Sequence, residues 1–363
     1  MQQQWLIAAG EPRWIWASVM LAFGAGAPLA ASAYSAQITS SSGSAIYFLD
    51  LTAPADSKTF DPEMISTISS APLTLGHDTS ISVGPADGHF ATTTGAYNAW
   101  VEPGGLHLSA RSAASITYAA VAAGADRSLR AQDGGSVDVL SDDGVTFSVA
   151  GLAPGTPFLM DVSLRVNGNF GVFNGPAGTP ITPNAYAEGS GFWGFALLVP
   201  GGRPAGVPSS LTNHFDDQAY FAARYDGTSF DEFSQYGYPK LVTVTMYAVN
   251  GQAATIELYA RLNTAAFADA SYETTSAGLV EAGVHGNLAD TVAWGGIAAA
   301  RQIDDTPVAL GDVSVQSNSG FDYRNEYVST VPEPSPAALT SIAVLCCSWL
   351  PRARVVRGSA NAA

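Results

Sequence analysis

Apolar and polar residues alternate along much of the chain. The clearest case is 158–167, where Phe158, Met160, Val162, Leu164 and Val166 alternate with Leu159, Asp161, Ser163, Arg165 and Asn167. That period of two predicts a strand with one buried face. Between 241 and 249, Val242, Val244, Met246 and Ala248 share a face, with threonines on much of the other. Between 254 and 262, Ile256, Leu258, Ala260 and Leu262 point inward and Glu257, Tyr259 and Arg261 outward. Shorter strands are predicted at 106–110, 115–121, 136–140, 145–149, 192–199 and 313–317. No long stretch carries a helical period.

Turn chemistry falls between these segments. Asp133-Gly134-Gly135, Asp142-Asp143-Gly144 and Asn250-Gly251 read as short hairpin loops able to reach positive φ, and 151–157 reads as a longer turn. Many short strands with this punctuation predict an all-β body, a β-sandwich or jelly roll. The segments 168–190 and 200–210 are rich in Gly and Pro and read as loops, while 213–239 reads as irregular and aromatic. One large domain over 34–330 is the preferred organisation. The alternative is two sub-domains joined near 168–240.

The two ends differ from this body. An apolar run from Trp14 to Leu29 leads to Ala31-Ser32-Ala33, the A-x-A form of a signal-peptidase site, so residues 1–33 read as a signal peptide. A transmembrane anchor is the alternative, but Gly24, Gly26 and Pro28 break the run, and about 20 apolar residues are wanted to span a bilayer. At the other end stand Val331-Pro332-Glu333-Pro334-Ser335, an apolar run from Pro336 to Leu350, then Arg352, Arg354 and Arg357. Basic residues after an apolar segment are held on the cytoplasmic side and fix orientation. A buried terminal helix is the alternative reading of the apolar run alone.

In that order these features resemble the PEP-CTERM sorting tail of exported bacterial proteins, over 331–357, with 358–363 trailing. The apolar run is shorter than the family usually shows. Upstream, Asn287-Leu288-Ala289-Asp290-Thr291-Val292-Ala293-Trp294-Gly295-Gly296-Ile297 and Ser319-Gly320-Phe321-Asp322-Tyr323 are similar to the closing β-segment of many such proteins. The resemblance implies an apolar sorting helix with transient membrane anchoring, and processing by exosortase-type machinery. It implies a destination at the cell envelope, the cell surface or outside the cell. It implies no particular activity, because the family shares its tail and not one function.

Composition narrows the rest. Both cysteines, Cys346 and Cys347, lie in the apolar tail, so the body is held by its core and not by disulfides. The chain has 31 acidic and 15 basic residues. Setting aside Glu11, Glu333, Arg13, Arg352, Arg354 and Arg357 leaves 29 against 11 in 34–330, a formal charge of −18. Nucleic-acid binding needs a positive footprint, so that class is excluded.

The histidines His77, His89, His107, His214 and His285 form no H-x-H or H-E-x-x-H, and no G-x-S-x-G, Walker loop or dinucleotide fingerprint is present. No catalytic and no metal-ligating residues are assigned, and no cofactor. Asp142-Asp143 and Asp304-Asp305 offer hard oxygen ligands to calcium but lack the spaced pattern of a dedicated loop. They read as turn aspartates.

The aromatic segment supplies the candidate binding residues Tyr220, Tyr225, Tyr236 and Tyr238, because rings beside carboxylates suit sugar faces and hydroxyls. The preferred alternative folds these rings back as a satellite core. The expected function is a structural or adhesive, non-enzymatic surface or matrix protein associated with exopolysaccharide. A carbohydrate-binding module, then a polysaccharide-active enzyme, are the alternatives.

Overall fold

The computed structural model describes residues 33–50, 56–83, 90–119, 127–172, 185–225, 230–234, 240–270, 277–288 and 292–328. The signal peptide apart from Ala33, the sorting box, its apolar run and its arginines all lie outside the described residues. All described residues except Val328 belong to one unit, Met1–Tyr327.

The strands are β1 (Ser35–Asp50), β2 (Asp56–Ser69), β3 (Leu73–Val83), β4 (Phe90–Glu102), β5 (Gly105–Tyr118) and β6 (Arg127–Val149). They continue with β7 (Pro157–Val166), β8 (Asn169–Val172), β9 (Ala185–Leu198), β10 (His214–Tyr225), β11 (Phe230–Ser234) and β12 (Lys240–Val249). The last are β13 (Ala253–Asp269), β14 (Gly278–Asn287), β15 (Val292–Gln302), β16 (Pro307–Val308) and β17 (Val313–Ser317). No α-helix occurs among the described residues, and among them no helix is long and apolar enough to cross a membrane.

Two antiparallel sheets face each other. The first runs β11-β10-β9-β13-β6-β1-β2, with β17 beside β6. The second runs β12-β7-β15-β5-β14-β8, with β16 on β15 and β4 and β3 beyond β5. The alternation read from sequence decides which side of each strand is covered. Phe158, Met160, Val162, Leu164 and Val166 of β7 are fully buried against Phe147, Trp193, Phe195, Ile256 and Leu258 of the first sheet. A second, alanine-rich cluster packs Ala131, Ala187, Ala266, Ala114 and Ala282 around Ile46, Ile116 and Leu129. An ion pair from Lys240 of β12 to Asp217 of β10 joins the sheets along one edge.

Between the clusters lies a buried polar belt. Ser44 donates to Asp133 Oδ1 at 2.5 Å and Tyr97 to Asp133 Oδ2 at 3.5 Å, while Ser112 stands 2.9 Å from both Tyr97 and Thr264 Oγ1. Asp133 is 3% exposed. Burial raises its carboxyl to about 6, and the hydrogen bonds from Ser44, Ser112 and Tyr97 offset part of that rise. A Cβ on Gly95 would stand 2.6 Å from Thr79 Oγ1 and 2.9 Å from Asp133 Oδ2, so that glycine leaves room for the belt.

Several expectations are corrected here. Asp133-Gly134-Gly135 and Asp142-Asp143-Gly144 are not hairpin loops but the interior of β6, paired without a break to β1 or β13. Gly135 serves close approach, because a Cβ there would meet the Tyr97 ring. Asn250-Gly251 is a turn, with Gly251 at φ 71°. The region 213–239 is not irregular where described, since it holds β10 and β11. Of 168–190, the residues of β8 and the start of β9 are strand. Ser163, read as outward, is 5% exposed, because Gly295 of β15 packs over it and Thr243 bonds its hydroxyl at 3.0 Å.

The segment after β17 closes one end of the sandwich. Trp294 Nε1 donates to the Tyr323 carbonyl at 2.7 Å, and the two rings meet edge to face at 5.3 Å. Gly296, at φ 87°, lets β15 slip register beside this contact, and Ile297 N then donates to Arg324 O at 3.2 Å. Tyr327 N donates to Trp294 O at 2.8 Å.

Candidate functional site

The outward side of the first sheet carries an unusual concentration of rings. On β9 the even residues face out, so Tyr186, Glu188, Ser190, Phe192 and Gly194 form a line. Inward stand Ala187, Trp193 and Phe195, which are buried. Strands β13 and β10 flank this line in fixed register. Tyr259 and Asp216 oppose Gly194, Arg261 and Gln218 oppose Phe192, and Asn263 and Tyr220 oppose Ser190.

Gly194 has no side chain, and Tyr259 occupies the space. The Tyr259 hydroxyl donates to the Phe215 carbonyl at 3.1 Å and lies 3.4 Å from His214 Nε2, so the ring reaches across β9 to β10. Phe192 stacks beside it at 5.6 Å with 27° between planes, and His214 at 6.0 Å with 21°. Phe192, at 37% exposure, and the His214 side chain, at 57%, thus each lie near-parallel to the Tyr259 ring between them.

One step along, the hydroxyls of Tyr186 and Tyr220 both donate to Glu188 Oε2, Tyr220 at 3.1 Å. Burial and the neighbouring Glu188 raise the Tyr186 hydroxyl, so it stays a neutral donor at ordinary pH. Burial likewise raises Tyr259, reinforced by Asp216 and Glu257. Asn263 Nδ2 donates to Ser190 Oγ at 3.0 Å, and Arg261 pairs with Asp138.

At the other end of the line two carboxylates, Glu257 and Asp142, sit opposite each other on β13 and β6. Burial, then Asp142, pushes Glu257 up to about 7, and burial pushes Asp142 up to about 6. The face therefore combines stacking surface, hydroxyl and amide donors and an acidic margin on a rigid sheet. A depression of about 380 Å³ elsewhere, lined by Thr156, Pro157, Ala205, Gln302, Ile303 and Asp304, holds a single carboxylate.

Of the residues predicted for binding, Tyr220 stands on this face, 39% exposed. Tyr225 ends β10 opposite Phe230, while Tyr236 and Tyr238 lie outside the described residues. Of the rings expected in a satellite core, only Phe215 and Tyr220 have described side chains. Phe215 packs against the main core and Tyr220 is exposed. Asp142 and Asp143 are not a joint ligand pair, since adjacent strand residues face opposite sides: Asp143 turns inward to Ser319 and Asp142 outward to Ser35. Asp304 accepts from Thr306 N and Asp305 pairs with Arg301, as turn aspartates do. Among the described residues no group of three or more His, Cys, Asp or Glu is placed to hold a metal ion.

Sequence reasoning missed Phe192, His214, Tyr186 and Glu188. For Tyr186, Glu188 and Phe192 the signal was the alternation of small inward and larger outward residues from Ala185 to Phe192, while His214 had none. No protein-family model and no curated protein matches the chain.

Proposed function

We propose that the chain is an exported, acidic, non-enzymatic surface or extracellular-matrix protein. It is sorted through its PEP-CTERM-like tail by exosortase-type machinery and has a structural or adhesive role in contact with exopolysaccharide. The signal peptide (1–33) and an apolar sorting helix after Pro334 belong to this proposal. What supports export is the order of the two ends together with a body free of cysteine. The two upstream segments that carry the family resemblance also touch, through Trp294 and Tyr323.

The observation that carries the carbohydrate contact is the exposed line of rings and hydrogen-bonding groups from Tyr186 to His214. Stacking on rings plus hydrogen bonding from Glu188, Asn263 and Gln218 suits a sugar's apolar face and hydroxyl edge. This observation favours the carbohydrate-binding reading over a purely structural one. Hydrolysis is the weaker alternative, because Glu257 and Asp142 stand on a sheet face and not in a cleft.

Fractionation of the native host followed by intact-mass analysis tests the sorting. The mature species is expected in the envelope or medium, lacking residues 1–33 and the segment after the Pro-Glu-Pro box. A mature species that keeps Arg352 to Arg357 would count against it.

A further inference from the structure

We infer that Phe192, Tyr259 and His214 form a stacking platform for an extended, ribbon-like chain of neutral hexopyranose units lying along β9. This deepens the carbohydrate reading above and rests on it. Three observations give the ligand its shape. Phe192 and His214 lie near-parallel to Tyr259, at 27° and 21°, with centroids 5.6 and 6.0 Å from its ring, so the three rings offer consecutive contacts on this face. Tyr259 lies over Gly194, where a side chain would collide with it, so the platform hugs the sheet. The rings stand on the outward side of the paired strands β9, β10 and β13, and a helical glucan would touch such a row of rings at isolated points.

A flat ribbon presents its C–H faces to the rings and its hydroxyl edges to both sides. The ring face is the negative side of its quadrupole and attracts those C–H groups. The flanking residues are hydrogen-bonding: Gln218 and Asp216 on β10, Arg261 and Asn263 on β13. Charge decides between ribbons. Asp216 and Glu188 border the line, whereas Arg261 is already paired to Asp138. An acidic polysaccharide is repelled by that border.

The test uses the full chain in mild detergent and its retention on three polymers: microcrystalline cellulose (a neutral ribbon), amylose (a neutral helix) and alginate (an acidic ribbon). Retention is expected on cellulose and much less on the other two. Phe192→Ala and His214→Ala should each weaken cellulose retention about tenfold, the scale of one lost aromatic contact. Their melting midpoints should fall only slightly, since each loses one ring contact with Tyr259 from a partly exposed position. Phe192→Trp should retain binding.

Cellulose retention unchanged in both alanine variants would overturn the inference. So would equal or stronger retention on amylose or alginate, and that result would leave a polysaccharide contact standing elsewhere on the molecule. Absence of retention on all three would remove the platform, while export and sorting would stand or fall on the mass of the native protein.

Discussion

Tyr259 lies across Gly194, its hydroxyl bonded to the Phe215 carbonyl one strand further on. The glycine is needed for space and not for backbone freedom, since its φ is not in the left-handed region. Gly194→Ala would drive its Cβ into both the Phe215 carbonyl and the Tyr259 ring, so the ring and the β9–β10 pairing would have to shift. Overpacking of this kind costs about 1–3 kcal/mol. A thermal melt should show that loss, and polysaccharide retention should fall with it. An unchanged midpoint would mean that neither the Phe215 carbonyl nor Tyr259 is seated as described.

Asp133 contributes a pH dependence of stability opposite in sign to that of a paired surface carboxylate. Its carboxyl stands at about 6 in the folded chain against an ordinary 3.8. A group that binds its proton more tightly when folded stabilises the fold below 3.8. That contribution is lost as pH rises through about 6. Two units correspond to about 3 kcal/mol. Asp142 and Glu257, raised to about 6 and about 7, act in the same direction. The urea midpoint should therefore be higher at pH 4.5 than at pH 8. Asp133→Asn, which removes the buried charge and keeps a polar partner for Ser44 and Tyr97, should flatten that difference. A midpoint that rises from pH 4.5 to 8 would contradict the belt's electrostatics.

Both sides of β7 are covered, unequally. Val162 is fully buried in the main core, so Val162→Asp should cost several kcal/mol or prevent folding. Ser163→Ala should cost about 1 kcal/mol through the lost bond to Thr243. Ser163→Asp should cost more than the alanine, because Gly295 packs against this residue. A neutral Ser163→Asp in a urea melt would show that the outer side of β7 is open.

The closing segment depends on Trp294. Trp294→Phe keeps an aromatic ring in the core and removes the donor to Tyr323, which should cost about 1–3 kcal/mol since it leaves the buried carbonyl unpaired. Gly296→Ala should cost at least as much, because φ 87° is strained for any side chain and the Arg324 carbonyl lies 3.0 Å from where Cβ would stand. Hydrogen exchange at Ile297 and Tyr327 amides should accelerate in both variants. Unaltered exchange would detach the segment from the bulge.

Strands with clean alternation were legible from residues alone: β7, β12 and β13 follow the predicted inward faces. Strand β6 was legible only in pieces, at 136–140 and 145–149, because its Asp-Gly pairs look like turns, while in the fold Gly135 clears space for Tyr97 and Asp143 turns inward to bond Ser319. Strand β10 hid its period because Asp217 faces inward, where Lys240 of the other sheet pairs with it. The outward direction of Tyr259 was readable. Its neighbours were not, since only strand register brings Phe192 and His214 to the same line.

The central claim is that this line of rings meets a sugar chain. The most direct measurement is proton NMR of the aromatic side chains during titration with cellohexaose. Ring protons of Phe192, Tyr259 and His214 should shift together and saturate at one affinity, with intermolecular Overhauser contacts to sugar C–H protons. Shifts confined to other residues, or none at cellohexaose concentrations that saturate binding by the wild-type chain to cellulose, would contradict the account.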